Sequence, residues 1–332
     1  MSVTIKDIAK EAGIGTSTVS AHLNGVAVRP KNKAAIEAAI KKLGYIRNDY
    51  ARGLKTKKSN TVGVLMPDLS NTFAAEIIGS MEEILSPQGY GILVCDYKTT
   101  GKSERDTCDF LLSKMVDALV VVMPQSANGS FLDTAVAAGL PVVVIDRKIN
   151  RSDIVQIVIN NREISYIATK KIIERGHKNI GIISGDSDIY TACERHRGYM
   201  DALKEQGLYN ENYFYNGKLS VEGGRTAMKR LASEHPEVTA VFAVNYEMTV
   251  GAIIALNELG LKIGEDISFA GFDNFNLARV VTPRLAAASQ PTGEMGKMAA
   301  EIILRSLTQG ERLARLITLS ADFDEGESIA KI

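Results

Sequence analysis

Residues 4–25, TIKDIAKEAGIGTSTVSAHLNG, decide how the first part of the chain folds. Thr4 stands three residues before Asp7, the spacing of a side chain that caps a helix and an acid that reaches back to it, and Ile5, Ile8, Ala9 and Ala12 fall on one helical face. Gly13 ends that helix. A second short helix is expected from about Thr16 to Asn24, with Val19 and Leu23 turned inward and Thr16, Ser17, Ser20 and Ala21 turned out. Two helices joined by a short glycine-containing turn form a helix-turn-helix. A third helix, about Lys31 to Leu43, supplies Ile36, Ile40 and Leu43 to close a core drawn from only about fifty residues, which is marginal by itself.

Charge points the same way. The chain has 332 residues, 45% of them apolar and 23% charged, with a formal net charge of zero. That zero hides a split. Residues 1–58 hold 12 Lys/Arg against 4 Asp/Glu, and the remaining 27 Lys/Arg face 35 Asp/Glu, so a head of +8 precedes a body of −8. A basic module on an acidic body is the footprint of contact with a polyanion, although a merely solvated surface carries such a charge too. The length implies two or three domains. MSVTIKDIAK has no apolar run to act as an export signal and no later stretch reaches transmembrane length, so a cytoplasmic location and no membrane partner are expected. Cys95, Cys108 and Cys193 are far apart and form no CxxC pair, so they are read as reduced, mostly buried thiols, with no disulfide framework, no metal and no cofactor.

Residues 44–60, GYIRNDYARGLKTKKSN, are basic and poor in apolar side chains, the composition of a linker that folds when it docks, helical only around Asp49 to Lys55. From Thr61 onward short β-branched runs alternate with amphipathic helical stretches: TVGVLMP, GILVCDY, ALVVVMP, PVVVID, NIGIISG, AVFAVN, ISFAGFD and LAAASQP. This is the pattern of parallel sheets wound by helices, hence an α/β body. Eight or more strands exceed one comfortable sheet. The expected organisation is a helix-turn-helix domain at 1–46, a hinge at 47–60, and a body at 61–332 made of one lobe of about 61–160 and 291–319 and another of about 161–290 and 320–332. The helix over 292–309 and the run LITLS would return the chain to the first lobe.

TIKDIAKEAGIGTSTVSAHLNG, then LGYIRNDYARGLKT, VGVLMPDLSNTF, VVVIDR, ERGHKNIGIISG, ERHRGY, EGGRTAM, TAVFAVNYEMTVGAI and DISFAGFDN resemble, block by block and in order, the lac repressor (LacI/GalR) family of bacterial transcriptional regulators. The resemblance spans essentially the whole chain. It implies a three-helix DNA-binding head on a bilobed body like that of periplasmic sugar-binding proteins, each lobe a doubly wound parallel sheet, and it implies a homodimer that reads a pseudo-palindromic DNA operator. The second helix would enter the major groove while the first helix and the ends of the third hold phosphates. The implied DNA-contacting positions in the head are Thr4, Thr16, Ser17, Thr18, Ser20, Ala21, His22 and Asn24. In the hinge they are Tyr45, Asn48, Ala51, Arg52, Leu54 and Lys55, with Leu54 as the residue wedged into a minor-groove base step. There are departures. Ala21 stands where the family usually has a long polar residue, which removes one bidentate base contact, and His22 either replaces it in part or turns toward the helices. Gly15 stands at a usual serine cap, and Arg47 at a usual proline.

In the body the resemblance implies a small-molecule effector, a sugar such as a pentose or hexose, held between the lobes, where the open sheets present their carboxyl ends. Asn71 and Phe73 follow TVGVLMP, Asp146 and Arg147 end PVVVID, Arg195 opens the helix after NIGIISG, and Asn245, Asp273 and Gln290 end the last three runs. Amides, carboxylates and guanidinium forks can pair several hydroxyls, and Phe73 can pack on a ring face, a set similar to that of pentose-binding members. A purine base would want more stacking. Ala74 replaces a common second aromatic, and Tyr246 replaces the usual Asp after Asn245. Asp146 and Asp273 could instead cap helices, and Arg147 could bridge the lobes as an ion pair; Arg197 reads as structural. Effector closing this cleft would rotate the lobes and shift the hinges. The alternative, a solute receptor without a DNA role, would need an export signal and no basic head. An enzyme is not expected, because Walker, GxGxxG and GxSxG motifs and metal-spaced histidines are all missing.

Overall fold

The structure, a computed structural model, describes residues 3–45, 58–98, 101–273 and 275–332. By internal packing the chain divides into a head unit, Met1–Ser59, and a body unit, Asn60–Ile332.

The head consists of α1 (Ile5–Ala12), α2 (Thr16–Leu23) and α3 (Pro30–Leu43). Thr4 and Asp7 form the reciprocal capping box at the start of α1, and Gly13 ends the helix in the left-handed region, φ 63°, which glycine adopts without a Cβ clash. Pro30 opens α3 at the first-turn position where its missing N–H costs nothing. The core is Ile8, Ala9, Val19, Ile36 and Ala39, flanked by half-buried Leu23, Ile40, Leu43 and Tyr45.

The body holds two sheets of six strands each among the described residues. The first contains β1 (Thr61–Met66), β2 (Gly91–Asp96), β3 (Ala118–Val122), β4 (Val142–Ile145), β5 (Val155–Ile159) and, from near the end of the chain, β11 (Arg315–Leu319), in the order β11-β5-β4-β3-β1-β2. All its pairings are parallel. The second contains β6 (Ile180–Ser184), β7 (Phe214–Asn216), β8 (Ala240–Ala243), β9 (Ser268–Phe272), β10 (Ala286–Ser289) and β12 (Asp322–Asp324), in the order β12-β10-β9-β8-β6-β7. Both sheets are dominated by parallel pairings, as expected of doubly wound sheets, with one exception at an edge: β12 pairs with β10 antiparallel. The last crossover delivers the chain to the sheet edge with too few residues to return it along the common direction, and an antiparallel edge strand needs no long connection.

Eight helices among the described residues wind these sheets: α4 (Thr72–Leu85), α5 (Glu104–Ser113), α6 (Asp133–Ala137), α7 (Asn161–Glu174), α8 (Tyr190–Glu205), α9 (Val221–Glu234), α10 (Tyr246–Leu259) and α12 (Thr292–Gln309); the short α11 (Phe275–Val280) lies between β9 and β10. Helices on both faces explain why β1, β3, β4, β5, β6, β8 and β9 are almost wholly buried and read as continuous apolar runs. The chain passes between lobes three times, after β5, after β10 and after β11. At the first and third passages Asn160 accepts the N–H of Ala321 on its side-chain oxygen at 2.8 Å and donates its own N–H to Leu319. No helix among the described residues is long and apolar enough to cross a membrane.

Candidate functional site

The carboxyl ends of strands from both sheets meet at one cavity of about 170 Å³. Asn71, Phe73, Asp146, Arg147, Arg195, Asn245, Asp273 and Gln290, the eight effector positions expected from the sequence, all line it. The walls also include Glu76, Met123, Thr191, Leu219, Tyr246, Glu247 and Thr292, which sequence reasoning did not select.

Backbone geometry places several of them. Asn71 caps α4 by accepting the N–H of Ala74 at 3.1 Å, and Asn245 caps α10 by accepting that of Met248 at 2.9 Å. Met123, Asp146 and Asp273 close β3, β4 and β9 with φ of 54°, 79° and 60°. Three non-glycine residues in the left-handed region around one cavity amount to backbone strain of about 1–3 kcal/mol each, held by the surrounding sheets.

Arg195 is the most deeply committed side chain, 3% exposed. Its Nε donates to Asn161 Oδ1 at 2.7 Å and its Nη1 to the Val244 carbonyl at 2.7 Å, with Asp273 Oδ2 at 3.8 Å. The guanidinium carbon lies 3.6 Å from the centre of the Phe272 ring. Gln290 Nε2 donates to Asp273 Oδ1 at 2.7 Å. Burial pushes the Asp273 carboxyl up to about 7, against the opposing pull of Arg195 and Gln290. Burial also raises Asp146, opposed by Arg147 and Arg195, and raises Glu247. Asp146 precedes no helix, so helix capping does not explain it. Arg147 holds Asp146 Oδ2 at 3.6 Å within its own lobe and donates Nη1 to the Pro124 carbonyl at 3.3 Å. Two buried polar atoms of this wall have no hydrogen-bond partner among the described residues: Arg147 Nε, a donor, and Gln290 Oε1, an acceptor. Arg197 is exposed and pairs with Glu194.

In the head, Thr16, Ser17 and Asn24 are exposed and Thr18, Ser20, Ala21 and His22 half-buried on α2. Gly15 gives the start of α2 no side-chain cap, which leaves first-turn N–H groups free of side-chain competition. Some expected contacts are engaged within the head. The Thr4 hydroxyl donates to Asp7 at 2.7 Å, Asn24 Nδ2 turns back to the Ser20 carbonyl at 2.8 Å, and Tyr45 packs on the core. His22 Nε2 stands 3.9 Å from Glu37 on α3, so this ring leans toward the helices. Lys6, Lys10, Arg29, Lys31, Lys33, Lys41 and Lys42 are exposed. Asn48, Ala51, Arg52, Leu54 and Lys55 lie outside the described residues.

Comparison with known proteins agrees with both units. The family described as "Bacterial regulatory proteins, lacI family" matches residues 4–48, and "Periplasmic binding proteins and sugar binding domain of LacI family" matches residues 59–325. The HTH-type transcriptional repressor PurR of Edwardsiella ictaluri (strain 93-146) is 34% identical over 330 residues, covering 98% of this chain and 97% of that protein. Among solved structures, a complex of the transcriptional regulator CelR with cellobiose superposes with a TM-score of 0.73 at 27% identity, covering 98% of this chain and 99% of that one. The lac repressor dimer bound to operator and the anti-inducer ONPF shares the fold at a TM-score of 0.88 and 22% identity, over 99% of this chain and 100% of that one. A helix-turn-helix head followed by a two-lobed body with a polar cavity between its sheets defines a DNA-binding transcriptional regulator with a ligand-binding domain. The chain belongs to the LacI family of bacterial regulatory proteins.

Proposed function

We propose that this regulator works in the cytoplasm as a homodimeric repressor whose affinity for a pseudo-palindromic operator is set by an uncharged sugar of about one ring bound in the cleft. The convergence of the Asn71, Asn245 and Gln290 amides, the Asp146 and Asp273 carboxylates and the Arg147 and Arg195 guanidiniums on one cavity carries the reading, because so many polar groups around one small space are costly to desolvate unless a ligand or water engages them. A cavity of about 170 Å³ is smaller than the ~300–1,000 Å³ typical of drug-sized sites. That favours one monosaccharide over a longer saccharide. Amides, carboxylates and a guanidinium suit vicinal hydroxyls, and Phe73 offers a ring an apolar face.

The head supports the DNA role through exposed Thr16 and Ser17 at an uncapped helix start, and through exposed lysines on α1 and α3. Each correct base pair contributes only about 1–3 kcal/mol, and a genome holds roughly 10⁶ or more competing sites, so one small head is insufficient and two joined by their bodies suffice. Thr18, Ser20 and Ala21 complete the reading face, and Leu54 is proposed as the minor-groove wedge. A second ligand, a planar nucleobase, is favoured by one observation: Tyr246 joins Phe73 as an aromatic at the cavity.

A thermal-shift screen of the purified chain against pentoses, hexoses, their phosphates and nucleobases tests the reading. A free sugar is expected to raise the melting temperature, and Arg147→Ala and Gln290→Ala to abolish the rise. A nucleobase as the sole hit would replace the sugar reading, and no hit in any class would remove it.

A further inference from the structure

Glu247 was not selected from the sequence, yet its carboxylate ties the cleft together. It sits in the first turn of α10 in the second lobe. Its Oε1 accepts Asn71 Nδ2 at 2.8 Å from the first lobe, and its Oε2 accepts Asn245 Nδ2 at 2.6 Å. Both amide oxygens are already occupied as helix caps. The orientation of each amide is therefore fixed, and each retains one N–H for a ligand.

The same carboxylate sets the charge of the cavity. Glu76, Asp146, Glu247 and Asp273 line it against two guanidiniums, Arg147 and Arg195. Arg195 is held by Asn161, the Val244 carbonyl and Asp273. Arg147 Nε stands 3.6 Å from Asp146 Oδ2, so both guanidiniums of the wall already face a carboxylate of this chain. An anionic group entering here meets more carboxylate than cation in a space where water screens poorly.

We infer that Glu247 is a specificity-determining residue which, by bridging Asn71 and Asn245 across the lobes and adding a carboxylate to the cavity wall, makes the cleft take an uncharged polyhydroxylated ligand and exclude its phosphorylated form. The inference rests on the sugar reading above and deepens it.

Isothermal titration calorimetry of the full-length chain, above neutral pH, with free pentoses and hexoses each beside its own monophosphate, tests this on the wild type and on Glu247→Gln. The wild type is expected to prefer a free sugar over its phosphate by about tenfold or more, the scale of one unit charge a few ångströms away. Glu247→Gln, similar in shape but uncharged, is expected to narrow that ratio by about tenfold. A wild type that binds the phosphate as tightly as the free sugar overturns the inference whether or not the variant folds. So does a variant that binds sugar with the wild-type ratio. If neither form of any sugar binds the wild type, the sugar reading falls and this inference with it, an outcome distinct from the others because in them the free sugar still binds.

Discussion

At the scale of single residues, the buried acids of the cleft give ligand binding a pH dependence of definite sign. Asp273 is held near 7 chiefly by burial, so below that pH it is mostly protonated. A ligand hydroxyl donating to this carboxylate favours its ionised form and expels the proton. Affinity should therefore weaken as pH falls below about 7, approaching a tenfold loss per unit, and level off above it. Asp146 and Glu247, both raised by burial, act in the same direction. Calorimetry across pH checks this, and affinity that rises toward acid contradicts it. Arg195 and Arg147 should separate in a different way. Arg195→Ala strands Asp273, Asn161 and the Val244 carbonyl, a loss of about 3–5 kcal/mol for a broken buried pair, whereas Arg147→Ala should lower the melting temperature less and remove ligand binding. Equal melting shifts would speak against the assignment. The expected cleft positions other than Arg195 were legible because each is a polar or aromatic residue at or just beyond the end of an apolar run; Arg195 was expected to open the helix after NIGIISG and lies instead in the second turn of α8, which begins at Tyr190. Glu247 was not legible, since an acid in the first turn of a helix is an ordinary partner for the helix dipole and carries no signal of its own.

At the scale of elements, the head depends on local devices because its core is small. Thr4→Ala removes the capping box of α1 and should destabilise the head by about 1 kcal/mol, read as a lower melting point for the head transition with the body transition unmoved. An unchanged head transition would mean that tertiary packing alone holds α1. The helices and most strands were visible as periodicity, and three strands were not. In β5 the apolar run VQIVI is broken by Gln156, but that amide is buried and satisfied, accepting from the Ile149 N–H at 2.8 Å and donating to the Arg151 carbonyl at 2.6 Å. The polar residue that masks the strand in the sequence thus fastens the loop beside it. β7 and β12, three residues each at sheet edges, are too short to show alternation.

At the scale of the whole molecule, the three passages of chain between the lobes are the places where a ligand can act on something distant. Gln290 lies at the second passage and also on the cavity wall, and Asn160 fastens the first passage to the third. A ligand shifts such a body only by its differential affinity for two arrangements, and a full swing from 1:99 to 99:1 takes about 10⁴-fold preference. DNA binding through a basic head should weaken steeply and linearly in log–log terms as salt rises, and Leu54→Ala should weaken operator binding far more than non-specific binding. Equal loss of both would remove the wedge. That two lobes share one chain threaded back and forth follows from the strand runs, whereas the antiparallel seat of β12 depends on the length of the last passage, which no periodicity records.

The coupling of cleft to head is tested most directly by fluorescence anisotropy of the full-length chain on a duplex recovered by in vitro selection, with and without the sugar that the screen identifies. The account predicts that saturating sugar changes the wild-type duplex affinity by about fivefold or more and leaves that of Arg147→Ala unmoved. A wild-type affinity that stays constant while calorimetry shows the cleft filled would contradict it.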